Sequence, residues 1–170
     1  MAYETIKLKK YLDIINEYAA ASAITPGMLI ELGSAGTVAA HATAGGNVLP
    51  MFALEDELQG NDIEDQFAAG DEVQCWVPVR GEEVYAILAD GQNVSIGDSL
   101  ESAGNGYLQK HTADVESWES GSKQEAGSIT VYGNQIVGIA LEAKDLSGSS
   151  GEEDSSGVLG YNKRIKVRIA

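Results

Sequence analysis

The length, composition and charge of the chain already exclude several classes of function. With 170 residues, 44% of them hydrophobic, the chain is long enough for one domain with its own core. A formal net charge of −15 makes nucleic acids and anionic membranes poor partners, so protein partners are expected. The single cysteine excludes an intrachain disulfide. Neither a secretory signal nor a membrane-spanning run is recognisable, which predicts a protein of the cytosol unless it is built into a larger particle.

Charge is distributed unevenly along the chain. Seven of the 11 basic residues lie in the first ten or last ten positions, where only one of the 26 acidic residues lies. The ends therefore carry a net charge of +6 and the middle a net charge of −21. This segregation predicts that both termini lie against acidic surface, either of this fold or of a neighbouring molecule.

Residues 1–23 are predicted to form an N-terminal arm that is extended at first. Ile6 and Leu8 alternate with lysines, as in a strand. Apolar side chains then follow at helix-face spacing, which predicts one short helix; they are Leu8, Tyr11, Leu12, Ile15 and Tyr18. The stripe has two possible uses: it packs on the core of its own chain, or it reaches a neighbouring subunit.

Residues 24–170 are predicted to form one mostly β domain. Glycine is abundant at 20 residues and proline scarce at 3, and short apolar runs are bounded by Gly, Asp, Asn and Ser. Strands are expected at residues 28–32, 37–41, 48–55, 72–79, 83–89, 94–102, 107–111, 129–132, 135–142 and 164–169. The segments 114–128 and 146–157 are too polar to bury much surface, and are expected to be mobile, exposed loops.

Local signals refine this pattern. In the strand at 72–79, hydrophobic residues alternate so that one face is apolar, and Cys75 is interpreted as a buried strand residue on that face. Pro78 indicates that the strand lies at a sheet edge or ends there. Asp90-Gly91 and Asn105-Gly106 are dipeptides typical of hairpin turns.

An internal repeat is the strongest inference available from the residues alone. The first segment is Gly27-Met28-Leu29-Ile30-Glu31, followed by Gly36-Thr37-Val38 and His41. Seventy positions later come Gly97-Asp98-Ser99-Leu100-Glu101, then Gly106-Tyr107-Leu108 and His111. Further on, Ala53-Leu54-Glu55 is echoed by Ala140-Leu141-Glu142. Two related β units of this kind are expected to close on each other as a barrel or sandwich.

The residues that usually carry chemistry show no catalytic pattern. His41 and His111 lie at equivalent ends of the repeat, so they are expected to repeat a structural position rather than to form an acid/base pair. The acidic run at 55–65 lacks the glycine placement of a calcium loop and is interpreted as a solvated loop. The alternative is a divalent ion shared at an oligomer interface. No cofactor and no enzymatic activity are expected.

The C-terminal segment 164–169 alternates strictly between cations and β-branched residues. Arg164, Lys166 and Arg168 share one face of the predicted strand, and Ile and Val occupy the other. The cations either protect an exposed sheet edge or lie against acidic surface.

Several phrases of the sequence resemble one known family. They are MAYETIKLKKYLDIINEY, ITPGMLIEL, MFALEDELQGNDI, AAGDEVQCWVPVRGEEVYAILADGQNVSIGDSLES and GYNKRIKVRIA. Together they look like a decoration, or cement, protein of tailed-bacteriophage capsids. The resemblance covers most of the chain and is weak in the two predicted loops.

The resemblance implies a β-barrel or β-tulip body that forms a homo-oligomer, most often a trimer. Such proteins sit on the outside of the virion, at local three-fold positions, and stabilise the mature head after synthesis in the bacterial cytoplasm. An arm over the major capsid protein is also implied. Partner contacts are then expected from Tyr3, Ile6, Leu8 and Tyr11 in the arm, with Arg164, Lys166 and Arg168 beside them.

Two other functions fit the same residues. A tail-tube or baseplate β protein would use the arm to join rings of its own kind. A carbohydrate-binding β-sandwich would use Trp76 and Trp118 as stacking platforms. Binding to nucleic acid or membrane is not expected.

Overall fold

The computed structural model describes residues 14–112, 135–148 and 163–170. Within these ranges the chain is almost entirely β, as expected, and contains no α-helix. The strands are β1 Ile14–Ala19, β2 Ile30–Leu32, β3 Val38–Ala40, β4 Phe52–Ala53, β5 Glu72–Val77, β6 Glu83–Ile87, β7 Asn93–Val94, β8 Ser99–Ser102, β9 Leu108–Lys110, β10 Gly138–Ala140, β11 Lys144–Asp145 and β12 Arg164–Ile169. All strand pairs are antiparallel.

The first five strands form one unit. A three-stranded sheet has the order β1-β5-β4, and β2 and β3 form a separate hairpin. A bridge between Leu29 and Phe52 joins this hairpin to β4. The joined order is therefore β1-β5-β4-β2-β3, and we call residues 14–77 the first unit.

The remaining described strands repeat that order. The five-stranded sheet has the order β6-β12-β10-β8-β9, while β7 and β11 pair separately. We call the described residues from 83 to 169 the second unit. Strand by strand, β1, β5, β4, β2 and β3 correspond to β6, β12, β10, β8 and β9.

Individual hydrogen bonds confirm this correspondence. The parallel bridge Ala20–Val38 matches the parallel bridge Leu88–Leu108. Matching backbone bonds are Gly27 N to Ala53 O (2.8 Å) with Gly97 N to Ala140 O (2.9 Å), and His41 N to Leu29 O (3.0 Å) with His111 N to Ser99 O (2.8 Å). The repeat predicted from short phrases therefore extends over both sheets.

The buried apolar side chains form two core clusters. One core cluster is built mainly from the second unit, and Leu29, Val48 and Phe52 of the first unit belong to it. The other cluster is built from the first unit, with Ile87 of the second. In the described ranges the strands form several antiparallel sheets and no closed barrel.

Most of the expected strands in the described ranges are present, although β11 was not predicted; the expected loop at 114–128, the expected strand at 129–132 and residues 149–157 of the second expected loop lie outside those ranges. Three expectations differ from the structure. The helix predicted around Ile15 and Tyr18 is wrong for that stretch, because β1 pairs along its whole length with β5. The expected strand at 94–102 is split by a turn between β7 and β8, in which Gly97 has φ of 89°. Leu146, at the start of a predicted exposed loop, is buried in the core.

The two predicted turns have different outcomes. Asn105-Gly106 joins the paired strands β8 and β9, as expected of a hairpin. Asp90-Gly91 also forms a turn, with Gly91 at φ of 74°. The strands on either side of it, β6 and β7, pair with other strands instead of with each other. Pro78 follows directly after the end of β5, one of the two positions predicted for it.

Candidate partner-binding surface

Strand β12 lies inside the second sheet, between β6 and β10. The first of the two predicted uses of its charges, protection of a sheet edge, is therefore wrong. Ile165, Val167 and Ile169 are buried on one face, and Lys166 and Arg168 are exposed on the other. The predicted alternation is confirmed at these five positions.

Arg164 departs from the alternation, because its side chain is directed into the protein. It is only 2% exposed. Its Nη1 donates a hydrogen bond to Pro26 O at 2.7 Å, and its Nη2 donates one to Ile63 O. The guanidinium thus ties β12 to two segments of the first unit, and in this fold it does not present a surface to a partner.

The exposed cations of β12 lie against acidic side chains of their own chain. Arg168 Nη2 is 2.6 Å from Glu83 Oε1, and Lys166 Nζ is 4.0 Å from Glu142 Oε2. All four side chains of these two pairs are at least one third exposed. Of the two uses left open for these cations, contact with acidic surface is the one observed.

Four of the predicted contact residues, Tyr3, Ile6, Leu8 and Tyr11, lie outside the described ranges. The first described residue is Ile14 in β1, and β1 lies at the edge of the first sheet. Residues 14–19, which the sequence assigned to the arm, thus belong to the β body. For the residues before them the arm remains a prediction.

Both histidines pair with a glutamate at equivalent positions of the repeat. His41 Nε2 lies 3.6 Å from Glu31 Oε2, and His111 Nδ1 lies 2.6 Å from Glu101 Oε2. His41 is buried, and its Nδ1 is 2.6 Å from Ser102 Oγ, across the boundary between the units. The prediction that the histidines repeat a structural position is confirmed.

Cys75 and Trp76 have packing roles. Cys75 is fully buried on the apolar face of β5, and burial raises the pKa of its thiol to about 12, so the reactive thiolate does not form near neutral pH. Trp76 packs partly buried against the core of the second unit. Trp118 lies outside the described ranges.

The acidic run at 55–65 is mostly exposed, and its backbone is organised by its own carboxylates. Asp65 Oδ2 accepts a hydrogen bond from Asp62 N at 2.8 Å, and Asp62 Oδ1 accepts one from Glu64 N at 2.8 Å. In the described part of the chain, no three His, Cys, Asp or Glu side chains are grouped so as to hold a metal ion. The described residues also contain no helix long and apolar enough to cross a membrane.

An apolar groove that the sequence did not predict lies on the first unit. Its volume is about 550 Å³, and its lining residues are Asn16, Tyr18, Ile30, Glu31, Leu32, Asn47, Val48, Leu49, Met51 and Val77. Leu32 and Leu49 are 51% and 63% exposed at its rim. Large apolar side chains that remain this exposed around a concavity are typical of an interaction surface.

The repeat points to this groove only when the exposure of its two halves is compared. Leu32 occupies the position that Ser102 occupies in the second unit, and Ser102 is fully buried. A repeat that places a leucine at the exposed site and a serine at the buried one inverts the usual preference. The comparison therefore identifies Leu32 as an unusually exposed apolar residue, and it requires the exposure of both side chains in the structure.

Comparison with known proteins shows a likeness of fold. No protein-family model matches the chain, and no curated protein matches it in sequence. Among solved structures, the chain is similar to the N base of head fiber gp8.5 of bacteriophage phi29. The TM-score is 0.51 at 14% identity, over 93% of this chain and 94% of the other. Nearly the whole of both chains thus shares one fold.

Proposed function

We propose that this chain is a phage capsid decoration protein. It binds the outside of the major capsid protein lattice as a homo-oligomer, for which we propose a trimer. It stabilises the mature head and catalyses no reaction. The observation that carries the proposal is the fold shared with a phage head fiber base over almost the full length of both chains. The sequence phrases that resemble decoration proteins support the same assignment independently.

The charge distribution suits a position on the exterior of the shell. The acidic middle of the chain, with a net charge of −21, is repelled by the packaged DNA and stays outside. The lysines of the N-terminal arm, with the exposed Lys166 and Arg168, carry charge that complements an acidic surface of the capsid lattice. A protein that binds only the assembled shell stabilises it by mass action, because every bound copy must be released before the shell comes apart.

The arm supplies the main contacts in this proposal, through Tyr3, Ile6, Leu8 and Tyr11. Lys166 and Arg168, on the exposed face of β12, supply further contacts. Their pairs with Glu142 and Glu83 are solvent-exposed, and such pairs contribute only about 0–1 kcal/mol, so exchange of partner costs little. Arg164 is left out of this contact set because it is buried. Several arms in one oligomer multiply a modest single affinity through effective concentration.

Deletion of residues 1–12 tests the proposal. We expect the shortened protein to remain a folded oligomer and to lose its binding to undecorated phage heads, measured by co-sedimentation. A full-length variant with Ile6→Asp and Leu8→Asp is the matched control for chain length, and it is expected to lose binding as well. Undiminished binding by both variants, or assembly of the pure protein into tail-like tubes in electron micrographs, would contradict the proposal.

A further inference from the structure

Strand β6 forms one edge of the second sheet, where it pairs with β12 along one side. The register of this pair shows which backbone groups face outward. Ile169 N donates a hydrogen bond to Glu82 O at 2.9 Å, and Leu88 N donates one to Lys163 O at 2.7 Å. Hydrogen-bonded positions alternate along an antiparallel pair, so the even-numbered residues of β6 bond to β12. Its odd-numbered residues direct their N–H and C=O groups away from β12.

Part of this outward edge has no partner. Ile87 N donates to Gly27 O at 3.3 Å, which closes the edge at one end. Towards the other end, no hydrogen bond among the described residues engages the N–H groups of Glu83 and Tyr85 or the C=O group of Glu83. Strand β6 also contains neither proline nor lysine, residues that commonly protect an edge strand. An open edge with free donors and acceptors is a template for one more strand.

A crevice of about 270 Å³ lies beside the open edge. Gly27, at the closed end of the edge, lines it together with Glu83 and Tyr85, so the crevice is on the outward side of β6. Its lining from the first unit is mainly apolar and includes Phe52, Ala53, Leu54, Ile63 and Trp76. Successive side chains of a strand alternate between its two faces, so an added strand would place one row of side chains in this crevice. That row is expected to be apolar.

Acidic residues flank the crevice on the side of the first unit. Glu55 lines it, and Glu55 and Glu57 both line an adjoining hollow of about 260 Å³. The two residues belong to the run at 55–65, which contains six acidic residues and no basic residue. In the described part of the chain, neither Glu55 nor Glu57 forms an ion pair. Their charge is therefore available to a basic partner.

Two arginines near the crevice are already engaged. Arg164 lines it, but its Nη1 and Nη2 donate to the carbonyls of Pro26 and Ile63. Arg168 pairs with Glu83. Against these two positive charges stand Glu83 and the acidic run, so the local charge is negative.

We propose that β6 accepts an extended segment of the capsid protein as an added strand. In this segment apolar side chains alternate with lysine or arginine. The apolar row lies in the crevice against Trp76, and Glu55 and Glu57 balance the basic side chains. The inference rests on the proposed function and adds a contact made by the body of the chain to the contact made by the arm. Backbone hydrogen bonds give such a contact its affinity, and the crevice gives it selectivity.

Amide hydrogen exchange measured by NMR tests the open edge on the wild-type protein. In the free protein, the amides of Glu83 and Tyr85 are expected to exchange faster than those of Val84 and Ala86. A saturating synthetic peptide in which lysine alternates with valine is expected to slow the first two by at least about tenfold. Val84 and Ala86 are internal controls, because β12 protects them with and without the peptide. Unchanged exchange at Glu83 and Tyr85 would overturn the inference.

The same measurement separates other occupants of the edge. Slow exchange of Glu83 and Tyr85 in the free protein that becomes fast on deletion of residues 1–12 would place the arm of this chain on the edge. Slow exchange that requires a high protein concentration would place a second copy there. Either result would refute the proposed occupant.

Two further peptides test the chemistry of the partner. One carries glutamate in place of lysine, and the other carries a methyl group on every backbone nitrogen, which removes the donors that strand pairing needs. Both are expected to leave the exchange of Glu83 and Tyr85 unchanged. Protection by the glutamate peptide would refute the requirement for basic side chains, and protection by the methylated peptide would refute strand addition.

Tyr85→Pro tests the edge by mutation. It removes an outward N–H group and no hydrogen bond to β12, a substitution that edge strands tolerate. Tyr85→Val is the matched control, because both variants lack the ring and only the valine variant keeps the N–H group. With both proteins folded by circular dichroism, Tyr85→Pro is expected to bind the lysine peptide and undecorated heads at least about tenfold more weakly than Tyr85→Val. Equal affinities would count against the added strand.

Head binding separates this inference from the proposed function. If wild type and Tyr85→Pro bind heads equally, the inference fails and the proposed function stands. If wild type ignores heads while the lysine peptide protects Glu83 and Tyr85, the proposed function fails and the strand-accepting edge stands.

Discussion

The buried side chain of Arg164 connects β12 to the first unit, although the sequence predicts a surface charge at this position. Its neighbours on the same alternating face, Lys166 and Arg168, are exposed, yet Arg164 donates to the carbonyls of Pro26 and Ile63, far away in sequence. A buried guanidinium is tolerated because those carbonyls compensate part of its lost hydration. Sequence periodicity gave no sign of this difference, since all three residues occupy the same phase of the strand.

Replacement of Arg164 by Ala should destabilise the protein by about 2–4 kcal/mol, since it removes charged hydrogen bonds and leaves a buried carbonyl without its donor. The control is Arg168→Ala, which breaks an exposed pair with Glu83 and is expected to cost less than about 1 kcal/mol. Urea unfolding of both variants measures the difference. Equal costs would show that Arg164 is no more important than a surface charge.

The free energy of unfolding is expected to depend on pH through Cys75, and burial of the thiol determines the direction of that dependence. Its pKa in the folded protein is about 12, against an ordinary value of 9.0. Above pH 9 the unfolded chain releases the thiol proton and the folded chain does not, so this group stabilises the fold below pH 9 and loses that contribution as pH rises towards 12. The difference in free energy of unfolding between wild type and Cys75→Ala is therefore expected to shrink from about pH 8 to about pH 10.5 in denaturant titrations, because this interval spans the ordinary thiol pKa. A constant advantage would show that the thiol is not shielded.

At the scale of elements, the pairing of β10 with β12 depends on close approach of the two strands. Gly138 pairs with Ile169, and a β-carbon at position 138 would overlap the Val167 side chain and lie 2.6 Å from Arg168 O. The constraint is steric: glycine is required there because β12 passes too near for any side chain. The equivalent position in the first unit holds Met51, which lines the groove.

Gly138→Ala is expected to lower the free energy of unfolding by about 1–3 kcal/mol, because the overlap forces β10 and β12 apart. Gly148→Ala serves as the control, since a β-carbon there meets no atom within 4 Å. Thermal unfolding followed by circular dichroism compares the two proteins. Similar melting temperatures would contradict the close contact between these strands.

Most strands and the repeat were predictable from the sequence, because alternation and glycine-bounded turns are local signals. The exceptions follow from tertiary structure. The stripe containing Ile15 and Tyr18 fits a helix, but β5 offers β1 an open edge with a complete set of backbone partners. Likewise the sequence of β12 is typical of an edge strand, but in the structure β6 and β10 pair with it on its two sides.

The candidate surface was only partly predictable for the same reason. The exposure of Lys166 and Arg168 followed from periodicity, while the burial of Arg164 depends on segments more than a hundred residues away. The groove around Leu32 depends on which of two related hairpin tips is covered. That choice is made by packing between the units, which no local pattern encodes.

Two properties of the whole molecule bear on its partners. The chain contains the same β unit twice, and an apolar groove is exposed on the first unit. Its charge is strongly acidic in the middle and basic at both ends. The exposed groove is typical of an interaction surface, and the charge distribution makes protein surfaces better partners than nucleic acids.

Electron cryomicroscopy of undecorated, expanded phage heads mixed with the purified protein tests the proposed capsid binding. Extra density is expected on the outer surface of the shell, at local three-fold positions, into which an oligomer of this chain fits with its N-termini towards the capsid. Heads that remain bare at saturating protein, or density confined to the tail, would contradict it.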